Sequence, residues 1–183
     1  MSATSIPPKK VRIATAWLDG CSGCHMSVLD LDEVLLALAA RIEIVFGPLV
    51  DAQHFPKNVD VSLIEGAVSS QDDVTLAKEI RANSGLVVAL GDCAVTSNVP
   101  GMRNSIPVKR LLERVYLENT LTNSIVPSDG VPALNRHAVP LHEIIKVDVH
   151  IPGCPPPPAV IASVLTQLLD GRRPELPALA KFG

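Results

Sequence analysis

All five apolar runs with strand character in this 183-residue chain end in a glycine-bearing turn, and three of those turns lead straight into cysteine. Val11–Leu18 runs into Asp19-Gly20-Cys21-Ser22-Gly23-Cys24, Gly85–Leu90 into Gly91-Asp92-Cys93, and Ile144–Ile151 into Pro152-Gly153-Cys154. Ile42–Phe46 ends at Gly47-Pro48 and Val59–Ile64 at Glu65-Gly66. Between these runs the period changes. Val28, Leu31, Leu35, Leu38 and Ala39 give Ser27–Ala40 helical spacing. Asp72–Ala82 reads as a helix with Asp72 or Asp73 near its cap and Arg81 in its last turn, and Pro158–Leu169 as a closing helix with proline in its first turn. Strands alternating with helices imply an α/β chain built on a mostly parallel sheet with right-handed crossovers.

In an open parallel sheet, ligands gather beyond the carboxyl ends of the strands. Cys21, Cys24, Cys93 and Cys154 are therefore expected to converge on one edge, although they come from distant parts of the chain. Soft thiolates select zinc, copper(I) or iron–sulfur clusters. Four cysteines match the ligand count of a 4Fe-4S cluster. Gly20, Gly23, Gly91 and Gly153 let backbone approach the metal, and nearby N–H groups can bond cluster sulfurs. A four-cysteine zinc site is the rival, but structural zinc sites usually pair their ligands in two short knuckles. Here one CxxC is joined by two lone cysteines. A dithiol formed by Cys21 and Cys24 alone leaves Cys93 and Cys154 unexplained.

Composition sets the outer bounds. Hydrophobic residues make up 47% and charged residues 19%, which is a globular balance and not a disordered one. The length suits one domain with a single sizeable core, residues 1–183, carrying a long loop-and-helix insertion at about 97–143. That insertion holds Pro100, Gly101, Pro107, Pro127, Gly130, Pro132 and Pro140, with one helix expected over Pro107–Glu118. A stretch this long inside a domain is usually functional or an interface element. A net charge of −3 argues against a nucleic-acid partner. No apolar run approaches membrane-spanning length, and Met1–Lys10 reads as a flexible start without a secretory or twin-arginine leader, so a cytoplasmic location is expected. Mean hydropathy is nevertheless +0.29 with only 3% aromatics. Either a large buried interface or an aliphatic Val/Leu/Ala core accounts for that. In a cytosolic chain, four cysteines point to metal or redox chemistry before disulfides.

Four motifs occur in order: Trp17-Leu18-Asp19-Gly20-Cys21-Ser22-Gly23-Cys24-His25-Met26-Ser27, Ile64-Glu65-Gly66-Ala67, Gly91-Asp92-Cys93 and Pro152-Gly153-Cys154-Pro155-Pro156. Together they resemble the small subunit of NiFe-hydrogenases over about residues 11–170, with the soluble NAD-reducing type as the nearest pattern. The resemblance implies a flavodoxin-like, three-layer fold with helices on both faces of the parallel sheet. It implies one proximal 4Fe-4S cluster held by Cys21, Cys24, Cys93 and Cys154. It places the NiFe site in a large-subunit partner, and flavin, NAD site and further clusters in diaphorase subunits. Electrons would pass through this chain between the two. Export-targeted relatives carry a twin-arginine leader and a two-cluster C-terminal extension, and neither pattern occurs here. The related 20-kDa-type subunit of a respiratory quinone reductase typically has two adjacent cysteines at the first position. Here Ser22-Gly23 separates them, which ranks that reading second.

No FMN is expected in this chain, because Asp19–Cys24 occupies the place of a flavodoxin's phosphate loop, and no G-x-G-x-x-G follows a strand. Glu65 reads as a solvated or helix-capping carboxylate, with a polar group near the cluster or the partner as the alternative. His25 stands beside Cys24 with its role open. His137, His142 and His150 read as structural or exposed, and Asp30, Asp32 and Glu33 as a solvated face or subunit contacts. Met102-Arg103-Asn104 and Asn135-Arg136-His137 are the expected partner contacts within the insertion.

Overall fold

The computed structural model describes residues 9–183, so the reading of Met1–Lys10 as a flexible start lies, for residues 1–8, outside the described residues. Among the described residues seven strands form: β1 Val11–Trp17, β2 Ile42–Phe46, β3 Val59–Glu65, β4 Val68–Ser70, β5 Ser84–Leu90, β6 Leu134–Val139 and β7 Val149–Ile151. Five of them make one parallel sheet in the order β2-β1-β3-β5-β7. Counted along the chain, that is the flavodoxin-like order 2-1-3-4-5. The expected fold class is the one observed.

Register explains the position of the site. Trp17 pairs with Glu65, Glu65 with Leu90, and Leu90 with Ile151. Four strands therefore end level, and the loops that follow leave from one edge. The alternation of side chains across the pleat divides the core in two. Ala14, Ala16, Ile64, Val87 and Ala89 face one cluster that takes in Ala77 and Ile80. Ile13, Val61, Leu63, Val88 and Leu90 face the other, with Val160, Ile161, Val164 and Leu165. These partners come from α3 (Gln71–Asn83) and α7 (Pro158–Leu169), one on each face of the sheet. Each fully buried aliphatic side chain contributes about 1.5–3 kcal/mol.

Helix ends differ from the sequence reading where local chemistry decides them. Asp72 and Asp73 stand in the first turn of α3, as expected, and the cap itself is Ser70: its side chain accepts the Asp73 N–H, while the Asp73 carboxylate accepts the Ser70 N–H, a capping box. The single helix expected over Ser27–Ala40 is two, α1 (Gly23–Leu29) and α2 (Glu33–Ala39). The break at Asp32, with φ 47°, brings Leu31 into the second core cluster. The expected strand Ile144–Ile151 shortens to Val149–Ile151, because a 3-10 turn at Leu141–Glu143 comes before it and buries Leu141.

The insertion is more ordered than its prolines suggest. It follows α4 (Asp92–Thr96) and holds α5 (Asn98–Gly101), a 3-10 turn at Met102–Ser105 and α6 (Val108–Glu113). The helix α6 passes into a π turn over Arg114–Glu118. The insertion returns through β6, which pairs antiparallel with β4. Arg103 clamps this sheet from within, donating to Ser69 O and Asn135 O at 3.1 Å each. Asn104 imitates a strand by exchanging two 2.7 Å hydrogen bonds with the Ala138 backbone. Arg103 and Asn104 therefore point inward, and of the expected contact triplet it is Met102 that is exposed. No helix among the described residues is long and apolar enough to cross a membrane.

Candidate metal centre

Cys21, Cys24, Cys93 and Cys154 line one cavity of about 80 Å³, together with Gly20, Gly23, Glu65, Gly66, Asp92, Gly153 and Pro155. A single water needs roughly 10–15 Å³ by a comparable measure, so the space takes a group of several atoms. All four thiols are free. Cys21 and Cys154 are exposed and stand at the rim, while Cys24 and Cys93 are half-buried. From sequence, every cysteine is expected in a loop. Cys24 and Cys93 instead sit in the first turns of α1 and α4, where helix starts bring backbone N–H groups to the cavity.

The backbone is shaped to this purpose at one position above all. Gly91 has φ +84°, and a Cβ placed on it would lie 2.2 Å from Cys24 Sγ. Only glycine serves there. The Cys154 loop is tied down from the first cysteine helix as well. Ser27, buried in α1, donates its hydroxyl to Pro156 O at 2.5 Å.

The four thiols sense one another's charge. Burial pushes the Cys24 thiol up to about 12, helped by the charge of Glu65 and by Cys93, Cys21 and Cys154. Cys93 is raised as well, by burial first and then by Cys154, against a backbone hydrogen bond from Val99 that lowers it. Thiolates grouped here are stable only with positive charge among them. A thiolate-bound metal centre supplies that charge and displaces the protons. The donor set of four cysteine sulfurs with adjacent backbone N–H groups fits an iron–sulfur cluster.

Glu65 is not a surface carboxylate. It is 2% exposed, lines the cavity, and its Oε2 accepts the His25 N–H at 2.7 Å. The His25 ring sits against the same oxygen, with Nδ1 also at 2.7 Å. A neutral ring then carries its proton on Nδ1, and Nε2 is buried without a partner among the described residues. The signal in the sequence is Glu65-Gly66 at a strand end: Glu65 sits level with Trp17 and Leu90, and Gly66, with φ +90°, turns the chain so closely that a Cβ would meet the Asp19 backbone at 2.9 Å. Asp92 also lines the cavity and is the residue that sequence reasoning left without a role. His142 and His150 pack against each other with ring centroids 5.9 Å apart and do not line the cavity, and His137 is exposed. Asp30, Asp32 and Glu33 are exposed, as expected of a solvated face.

Comparison with known proteins shows the family of the chain. The family described as NADH ubiquinone oxidoreductase, 20 Kd subunit, matches residues 21–168. One subunit of the vhu F420-non-reducing hydrogenase of Methanocaldococcus jannaschii is 40% identical over 91% of this chain and 59% of its own length. This chain thus spans about three-fifths of that relative. The NAD-reducing hydrogenase HoxS subunit delta of Cupriavidus necator is 34% identical over 92% of this chain and 83% of its own length. A chain in the crystal structure of an NAD+-reducing [NiFe]-hydrogenase in the H2-reduced state superposes with a TM-score of 0.91 at 41% identity, covering 94% of this chain and 98% of that one. The chain belongs to the NADH ubiquinone oxidoreductase 20 kDa subunit family and, within it, to the small subunits of NiFe-hydrogenases, with the NAD-reducing type among its relatives.

Proposed function

We propose that this chain is the electron-transfer subunit of an NAD-reducing NiFe-hydrogenase, holding one 4Fe-4S cluster on Cys21, Cys24, Cys93 and Cys154. The observation that carries the reading is that all four cysteines line one small cavity at the level ends of four parallel strands. A bound cluster supplies one-electron redox chemistry. This chain contributes the ligands, their spacing and the local field. The cluster lies between the NiFe site of a large-subunit partner and a diaphorase module that carries flavin, the NAD site and further clusters.

The surface supports a protein partner. Met102, Leu121, Ile125 and Val131 of the insertion are all exposed, and Trp17, Met26 and Leu49 are exposed beside the first cysteine loop. Apolar side chains in this number mark a contact surface. An obligate interface of more than roughly 2,000 Å² is expected.

The family description itself favours one second reading, a cluster subunit of a quinone reductase. The hydrogenase relatives and the separated Cys21 and Cys24 rank it below the first. A zinc-stapled, non-redox domain is the third. The single CxxC with lone Cys93 and Cys154 far along the chain does not make the paired knuckles of a structural zinc site.

The test is anaerobic purification with iron, sulfide and zinc analysis, together with absorption and EPR spectra. About four iron and four sulfide per chain, with a broad band at roughly 400 nm, are expected. Stoichiometric zinc without that band overturns the reading. Hydrogen-dependent NAD reduction by the assembled complex separates the hydrogenase from a quinone reductase.

A further inference from the structure

We infer that Asp92 is a positioning residue that locks the Cys93 and Cys154 arms together and holds negative charge beside the cavity. The inference rests on the cluster reading above. Asp92 opens α4 one residue before Cys93, is 3% exposed and lines the cavity.

Its carboxylate joins two other stretches of chain. Oδ1 accepts the Gly153 N–H at 2.6 Å, and Oδ2 accepts the Gly183 N–H at 2.8 Å. The Asp92 backbone N–H donates to Gly153 O at 2.9 Å. Asp92 and Gly153 thus exchange two hydrogen bonds, one through the main chain and one through the side chain. Just before them, the Gly91 N–H donates to Ile151 O at 2.8 Å, directly after the Leu90–Ile151 pair of β5 and β7. The side chain therefore carries the strand pairing two residues beyond the sheet. Cys93 and Cys154 each follow that doubly bonded pair by one residue, so their separation is set by it. Gly183, held by the second oxygen, packs on Cys154: a Cβ there would lie 2.8 Å from Cys154 Cβ.

A neutral side chain could hold one of these N–H groups at lower cost. Asp92 forms no ion pair among the described residues, and a buried carboxylate without a cation is expensive. Two charge-assisted hydrogen bonds offset part of that cost. Negative charge at this place favours the oxidised cluster and lowers its reduction potential.

The test uses Asp92→Asn and Asp92→Ser in the full chain, purified anaerobically with the subunits it assembles with. Both variants lack the charge, and serine retains a small acceptor. Iron and sulfide content, midpoint potential by EPR-monitored titration, g-values and the rate of iron loss to a chelator are compared with wild type. Both variants are expected to load iron, to show a positive shift in potential with altered g-values, and to lose iron several-fold faster. Loaded variants with unchanged potential and g-values overturn the inference, even if their melting temperature falls, because a purely structural carboxylate behaves that way. Failure of both variants to fold overturns it for the same reason. Wild-type protein without iron and sulfide overturns the cluster reading and this inference together, whereas a loaded wild type beside indistinguishable variants overturns this inference alone.

Discussion

Gly91 and Cys24 meet at a distance that only a hydrogen atom fits: a methyl group on Gly91 would stand 2.2 Å from Cys24 Sγ, with the backbone already at φ +84°. The two residues leave different strands, yet the wall formed by one sets where the sulfur of the other can lie.

Gly91→Ala is therefore expected to empty the centre. The left-handed backbone alone costs an L-residue roughly 1–2 kcal/mol. In a chain of this length that lowers Tm by about 2–8 °C before the clash is counted. Iron per chain and a thermal melt measure the two effects separately. A Gly91→Ala variant with full iron content contradicts the geometry.

Cys154→Ala should separate ligation from folding. Cys154 is exposed, so its truncation is expected to change the stability of the metal-free chain by no more than about 0.5 kcal/mol. The same change should abolish cluster loading and hydrogen-dependent NAD reduction, while the large subunit still loads its metal site. Retention of both cluster and activity removes Cys154 from the ligand set.

Glu65→Ala strips the acceptor from the half-buried His25 backbone N–H and from its ring. The expected loss is about 1–3 kcal/mol, with Glu65→Gln milder because its carbonyl still accepts. Denaturant melts of the metal-free chains check the order. Equal stability of Glu65→Ala and wild type contradicts the buried placement.

Asp148, just before β7, ties the end of α3 to β5. Its Oδ2 accepts from Arg81 at 2.6 Å and from the Val87 N–H at 2.9 Å. Burial alone raises its carboxyl, but these partners outweigh it and hold the group below the usual carboxylate value. A carboxyl lowered in the folded state contributes stability that is complete above its unfolded value of about 3.9, and that is lost as pH falls through the folded value. Asp148→Asn should cost about 2 kcal/mol at neutral pH. The gap to wild type should narrow as pH falls below about 4. Paired melts at pH 7 and in acid measure it, and a gap that widens in acid reverses the sign argued here.

Leu121→Asp combined with Ile125→Asp is expected to weaken assembly with the large subunit and leave the cysteine cavity intact. Both side chains are exposed on the insertion and lie outside the cavity lining. Co-purification yield and iron content read the two effects. Unchanged complex formation moves the interface elsewhere.

The sequence alone determined what depends on local pattern. Apolar runs, glycine turns and helical spacing marked five parallel strands in order and put Cys21, Cys24, Cys93 and Cys154 after them, because these signals act within a few residues of chain. Only the tertiary structure decided what depends on contacts between distant residues. It paired Ser70 with Leu134 in a second sheet, turned Arg103 and Asn104 inward, and broke a continuous helical pattern at Asp32 so that Leu31 could reach the core. It also buried Glu65 against His25 and drew Asp92 to Gly153. A carboxylate is solvated by default, and what overrides that default is a set of N–H donors that approach it only once the strand ends are level.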